Sequence, residues 1–254
     1  VTLGDGRLHD RVRGASWPVN ATAAFVLERS GHPLGSVADA LAVAHGASRA
    51  QARADVLAFV WALNEAHLAN VLRGGRRLAR LVGFVRVAVR LTPAGRLPAL
   101  AARRRELDTR SLRAAVWSCA VACAARGLVV ACLACVPALP LSGGSPSLAV
   151  TLAASTALGL VVHEAGHAAA LLRTPAALVT HGRRTVVLHG LLTSRRTASV
   201  ALAGPGVAAA AGVAVTAAGA LSTSLELAVA GLPLAAHAAG LTVLATDGRR
   251  ACGL

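Results

Sequence analysis

The stretch "VVHEAGHAAALL" places His163, Glu164 and His167 in the spacing H-E-x-x-H. On a helix, residues four apart stand on one face, so both imidazoles can turn toward a single metal ion. Glu164 then sits beside that ion, placed to take a proton from an attacking water. Zinc makes such chemistry feasible near neutral pH. Two imidazoles leave a catalytic zinc one protein ligand short. Asp247, in "LATDGRRACGL", is the leading candidate for the third, with His181, His189 and His237 as alternatives. His181 and His189 occupy "VTHGRRTVVLHG", a polar loop with some strand character, and read as surface or headgroup-facing residues. His237 precedes Asp247 by ten positions. On a continuous helix that is about 15 Å of depth, too far to share one ion unless Pro233 or Gly240 breaks the helix. The competing reading of the motif is a polar knot, with His163 and Glu164 hydrogen-bonded to neighbouring helices. Against it stands the cost of a carboxylate in a membrane helix, roughly 2.5 to 3.5 kcal/mol for Asp on an insertion scale.

The elements that must position these residues are apolar and long. The chain has 254 residues, 55% of them hydrophobic and only 2% aromatic. Four segments approach the ~20 apolar residues that cross a hydrocarbon core: 114–139, 148–172, 197–221 and 225–245, the first interrupted by Arg126. Every basic side chain is Arg. Arginines gather between Arg73 and Arg113, between Arg173 and Arg196, and at Arg249 and Arg250. The linkers "PLSGGSPS" and "STS" carry none. Under the positive-inside rule this alternation puts the N-terminal region, the 173–196 loop and the C-terminus in the cytoplasm. It also brings His163, His167 and Asp247 to similar membrane depth. The formal charge of +15 is thus explained by cytoplasmic loops and attraction to anionic lipid rather than by nucleic acid. No cleavable signal peptide is read in the mixed N-terminal stretch.

Cys119, Cys123, Cys132 and Cys135 share the first apolar segment and Cys252 lies near the end of the chain, which is no disulfide framework. The Cys132–Cys135 pair is a weak metal or redox signal, and small-residue helix packing is the plainer reading. Gly204, Pro205 and Gly206 in the third segment read either as a kink or as a bend leaving room for an extended substrate.

The first eighty residues form a different body. "GRLHDRV" suggests a short strand or hairpin. Asn20 caps a first helix that stops by Gly31. Leu34, Val37, Ala38 and Leu41 mark a second helix, and Ser48 opens a third carrying Ala52, Val56, Phe59, Val60 and Leu63. The expectation is a mainly α polytopic bundle of about four spans. It has a small winged-helix-like cytoplasmic domain over residues 1–72, a basic juxtamembrane connector over 73–113, and a membrane domain over 114–254.

From these motifs the membrane part resembles the site-2 protease family of intramembrane zinc metallopeptidases, over residues 148–250. The resemblance implies His163 and His167 as zinc ligands, Glu164 as catalytic base, and Asp247 of the Asp–Gly pair as third ligand. "AGPG" at 203–206 is similar to the family's Gly-Pro segment. The Asn and Pro expected before the Asp are missing from "AHAAGLTVLATDG", as is an Asn after Gly206. The head resembles PqqD-like peptide-recognition modules through "WPVNATAAFVLE" and "ADVLAFVWALNEAHL". Such modules hold the leader of a ribosomally made, modified peptide as an added strand. The expected function is a multi-pass plasma-membrane zinc metalloendopeptidase, acting on a peptide or membrane-protein substrate with a leader peptide at the head. The alternative is a non-enzymatic scaffold or export accessory in modified-peptide maturation. A DNA-binding winged helix is disfavoured, because the third helix is poor in basic residues.

Overall fold

The computed structural model describes residues 1–71, 102–181, 184–242 and 247. They divide into two compact units: Val1–Glu106 with Ala177–Gly190, and Leu107–Ala176 with Leu191–Leu254. Element labels below number the described elements in chain order.

The first unit opens with a three-stranded antiparallel meander, β1 (Thr2–Gly4), β2 (Arg7–Asp10) and β3 (Ala15–Pro18). The expected hairpin therefore gains a third strand. Asp5 and Gly6, both at positive φ, make the first turn, and Gly14 (φ 64°) the second. Three helices follow: α1 (Ala21–Glu28), α2 (Leu34–His45) and α3 (Arg49–Glu65). Asn20 and Ser48 cap the first and third, their side-chain oxygens accepting from Ala23 N at 2.8 Å and Gln51 N at 3.2 Å. Gly46 ends α2 in the left-handed conformation, φ 64°. The core is Val26, Val37, Ala38, Leu41, Ala42, Ala52 and Val56, with Phe25, Leu34, Phe59 and Val60 against it. Helical periodicity also singles out Val37, Ala38, Leu41, Ala52 and Val56 among these, with Leu34, Phe59 and Val60.

A second sheet in the order β4-β5-β6 is made by β4 (Arg103–Leu107), β5 (Ala176–His181) and β6 (Arg184–His189). Polar groups tie β4 to the head, several of them buried. Asn64 donates to Ala69 O and Ala102 O, and accepts from Ala102 N at 2.9 Å. Asn70 exchanges two hydrogen bonds with the Arg104 backbone. The Arg104 guanidinium grips the fully buried Asp10 carboxylate at 2.6 and 2.8 Å. Burial alone would raise the Asp10 pKa. Arg104, with the Val12 and Arg13 amides, outweighs it and holds the carboxyl below its ordinary range. Most of the expected basic connector lies outside the described residues.

The second unit holds α4 (Leu112–Leu141), α5 (Pro146–Ala170), α6 (Ser194–Leu221) and α7 (Leu225–Ala235), then a 3-10 helix over Ala236–Leu241. Ser111, Ser145, Thr193 and Ser224 cap the four helices with their hydroxyls. By length and composition α4, α5 and α6 can cross a membrane. Their outward faces carry exposed apolar side chains such as Trp117, Leu128, Val136, Val150 and Val213, as a lipid-facing surface requires. The fourth segment differs from a continuous span. Its α-helix lasts only 11 residues, Pro233 falls in the last turn, and the backbone tightens into 3-10 geometry before turning extended at Thr242. At about 1.5 Å per residue the regular part is far short of the ~30 Å hydrocarbon core.

Candidate metal centre

The H-E-x-x-H motif lies in the last two turns of α5, which the structure fixes at both ends of the approach. At the helix end, Leu171 is fully buried, Arg173 N donates to Thr109 O at 2.8 Å, and Thr109 Oγ1 donates to Thr174 O. Along the helix, glycines bring neighbouring elements close. A Cβ on Gly166 would run into the backbone at Ala203 and Gly204, and one on Gly204 would overlap the His167 imidazole. The Gly-Pro segment therefore serves close approach, and α6 continues through it as one helix with Pro205 inside. Pro205 has no N–H for the carbonyl four residues back, which loosens this turn. The neighbouring carbonyl of Val200 accepts from His167 Nδ1 at 2.6 Å.

That bond fixes the His167 ring with Nε2 pointing away from α6. There it meets His163 Nε2 at 3.1 Å. The Asp247 carboxylate oxygen Oδ2 stands 3.3 Å from His163 Nε2 and 3.7 Å from His167 Nε2. Zinc with four ligands at about 2.0–2.1 Å in a tetrahedron holds them about 3.3 Å apart. The three measured separations bracket that value. The donor set of two imidazole nitrogens and one carboxylate oxygen also suits zinc and leaves one position open. His163, His167 and Asp247, nominated separately from the sequence, thus form a cluster able to hold a metal ion.

Glu164 is 6% exposed on the same helix. Its carboxylate is within electrostatic reach of His167, His163, Asp247 and Arg126. Arg126, an interruption of the first apolar segment in sequence, lies on α4 within electrostatic reach of Glu164 and Cys123. Cys119 and Cys123 are buried on α4. With Cys132 and Cys135 they are free thiols, and none of the four joins the cluster.

The alternative histidines separate. His181 and His189 fall in β5 and β6 of the first unit, and His189 Nδ1 donates to Gly190 O at 2.8 Å. His237, which the sequence allowed near the ion only if Pro233 or Gly240 broke the helix, does come close to His163 but does not join the ligand cluster. Because the α-helix ends at Ala235, His237 begins a 3-10 turn, and its ring centroid lies 4.9 Å from that of His163, tilted 40°. It is seated against Gly159, one turn before His163, where an added Cβ would come within 3.0 Å of its Nε2. The signals were Pro233 in the helix and the Gly–x3–His–x3–His row on α5. A second consequence of the unwinding is that Gly240 packs on the Pro205 ring.

Residues 7–69 match the sequence family described as coenzyme PQQ synthesis protein D (PqqD). No curated protein and no solved structure matches the chain. Strands β2 and β3, helices α1 to α3 and the core they share all fall within that match, so the chain carries an N-terminal PqqD-like domain, joined to a region of apolar, membrane-length helices.

Proposed function

We propose that this chain works at a membrane in the maturation of a ribosomally made peptide. The PqqD-like domain holds the peptide, and the helical region hydrolyses a peptide bond as a zinc metalloendopeptidase. The observation that carries the hydrolytic part is the convergence of His163, His167 and Asp247 at zinc-ligand spacing beside the buried Glu164. Peptide capture is supported by the family match and by a groove of about 460 Å³ in the head. Val19, Ala23, Val26, Val56 and Phe59 line it, with Asp55 among them. It lies next to β3, which pairs only with β2 among the described residues and so offers a strand edge to an extended peptide.

In this reading His163, His167 and Asp247 hold the ion, which when bound acts as a Lewis acid toward water and the scissile carbonyl. Glu164 takes a proton from the attacking water and passes it to the leaving amine. Val200 O fixes the His167 tautomer so that Nε2 faces the ion. The four-pass arrangement with cytoplasmic termini, a plasma-membrane location and contact with anionic lipid belong to the same proposal.

The second reading, a non-enzymatic scaffold or export accessory, is favoured by where the family match falls. It covers the head and not the helices that bear the cluster. Both readings share the peptide-holding head, so one experiment separates them. In the detergent-purified full chain, wild type should hold about one zinc and Asp247→Ala should lose most of it. Glu164→Gln should keep zinc yet abolish cleavage of a precursor peptide bound by the head. Full activity in Glu164→Gln would sink the hydrolytic mechanism. Zinc with no cleavage by wild type would select the scaffold.

A further inference from the structure

If both His163 and His167 bind an ion through Nε2, each must carry its remaining proton on Nδ1. A buried N–H of that kind requires an acceptor, which also fixes the ring and raises its basicity as a ligand. His167 has one, the Val200 carbonyl at 2.6 Å. His163 does not: its Nδ1 is buried and, among the described residues, has no hydrogen-bond partner. An unpaired buried donor costs on the order of 1–3 kcal/mol, so the two ligands are unequally supported.

His237 packs a third imidazole close to His163, 4.9 Å between ring centroids. Its backbone is in 3-10 geometry at the broken end of the fourth segment, and its ring occupies the space that Gly159 leaves by lacking a Cβ. It is not one of the three groups whose donor atoms converge. Its seat is next to Gly159, one helical turn before His163 on α5.

We infer that His237 is a positioning residue for the metal centre, its ring nitrogen accepting the Nδ1–H of His163 and so holding that ligand for the ion. The inference rests on the metal reading above. In the structure the two rings are tilted by 40° and no hydrogen bond joins them, so the proposed bond requires a turn of the His237 ring about its side-chain bonds, which the metal-bound tautomer would favour. The unwinding after Ala235 acquires a purpose in this account: it delivers an acceptor to the first ligand histidine as well as letting the chain reach Asp247. Without a break, His237 would sit about 15 Å from the aspartate along the helix.

The test uses the full chain in detergent, with zinc affinity from chelator competition and the visible spectrum of the cobalt-substituted protein. His237→Phe keeps a ring against His163 but offers no acceptor, and should weaken zinc binding about 10–100-fold. His237→Gln restores an acceptor oxygen and should recover most of that loss with the wild-type cobalt spectrum. Gly159→Ala should reproduce the Phe phenotype without altering His237, because the new methyl displaces its ring. Wild-type affinity in His237→Phe overturns the inference, since packing alone would then suffice. Equal weakening in the Phe and Gln variants with an altered cobalt spectrum also overturns it, making His237 a direct ligand. Failure of the underlying metal reading has its own signature: no zinc in wild type, or no loss in His163→Ala and Asp247→Ala.

Discussion

Asp10 and Arg104 show how much one polar pair carries in a small domain. Asp10 has no exposed side-chain surface and Arg104 only 6%, and two short hydrogen bonds join them. Removing one partner of a buried pair leaves an uncompensated charge, at a cost of about 3–5 kcal/mol. Asp10→Asn should therefore destabilise the head and β4 by about 3 kcal/mol at neutral pH, read as lost hydrogen-exchange protection over residues 7–69 and 103–107 in the full chain. The pair also sets a pH response. The folded Asp10 pKa lies below its unfolded value near 4. Its stabilisation is thus fully present above about pH 4 and fades as pH falls through the depressed folded value. Protection of the head should drop on acidification below pH 4 in wild type and respond less steeply in Asp10→Asn. An equal acid response in the two proteins would remove the pair from the account.

At the scale of elements, helix contact decides the metal centre. Gly204 and Gly206 flank Pro205 on α6 and look interchangeable in sequence, yet their surroundings differ. A Cβ on Gly204 would collide with His167, whereas one on Gly206 meets nothing within 4 Å. Gly204→Ala should shift the imidazole or the helix, costing about 1–3 kcal/mol and weakening zinc binding at least tenfold. Gly206→Ala should leave zinc binding unchanged and be neutral or slightly stabilising, since Ala is the better helix former. Similar zinc affinity in the two variants would show that the α5–α6 approach does not set the ligand geometry. The fourth segment makes a related point. Its apolar composition suits a span, but Pro233 ends its regular hydrogen bonding early and the 3-10 turn that follows packs on Pro205 through Gly240. Irregular backbone at membrane depth is tolerated where protein buries it or a wet cavity receives it.

For the molecule as a whole, the distribution of arginine predicts a topology that labelling can test. The turns at 142–145 and 222–224 carry no basic residue, while the segment between α5 and α6 has Arg173, Arg183 and Arg184, and α6 opens with Arg195 and Arg196. Single reporter cysteines in a Cys-free background should be labelled from outside the cell at 143 and 223, and only after permeabilisation at 192 and in the head. Outside labelling at 192 would invert the orientation and with it the cytoplasmic delivery of a peptide by the PqqD-like domain.

Much of this was legible in sequence because it depends on local rules. Asn20 and Ser48 cap their helices because their side chains reach nearby amides. Val26, Val37, Leu41 and Val56 are core because apolar residues at helical spacing share one face. His163 and His167 point together because four residues nearly complete a turn. Asp247 could be nominated because it is a lone carboxylate at the end of the fourth apolar segment. The sequence alone thus determined the three-helix head, three of the four expected apolar spans as long helices, and the identity of the metal-ligand candidates. Only the tertiary structure decided what depends on distant chain segments meeting: Arg104 on Asp10, Val200 O on His167, Gly204 beneath its imidazole, and Arg126 near Glu164. It also decided His237, whose depth follows from where a helix breaks, a balance between Pro233 and packing on α6 that no local pattern encodes.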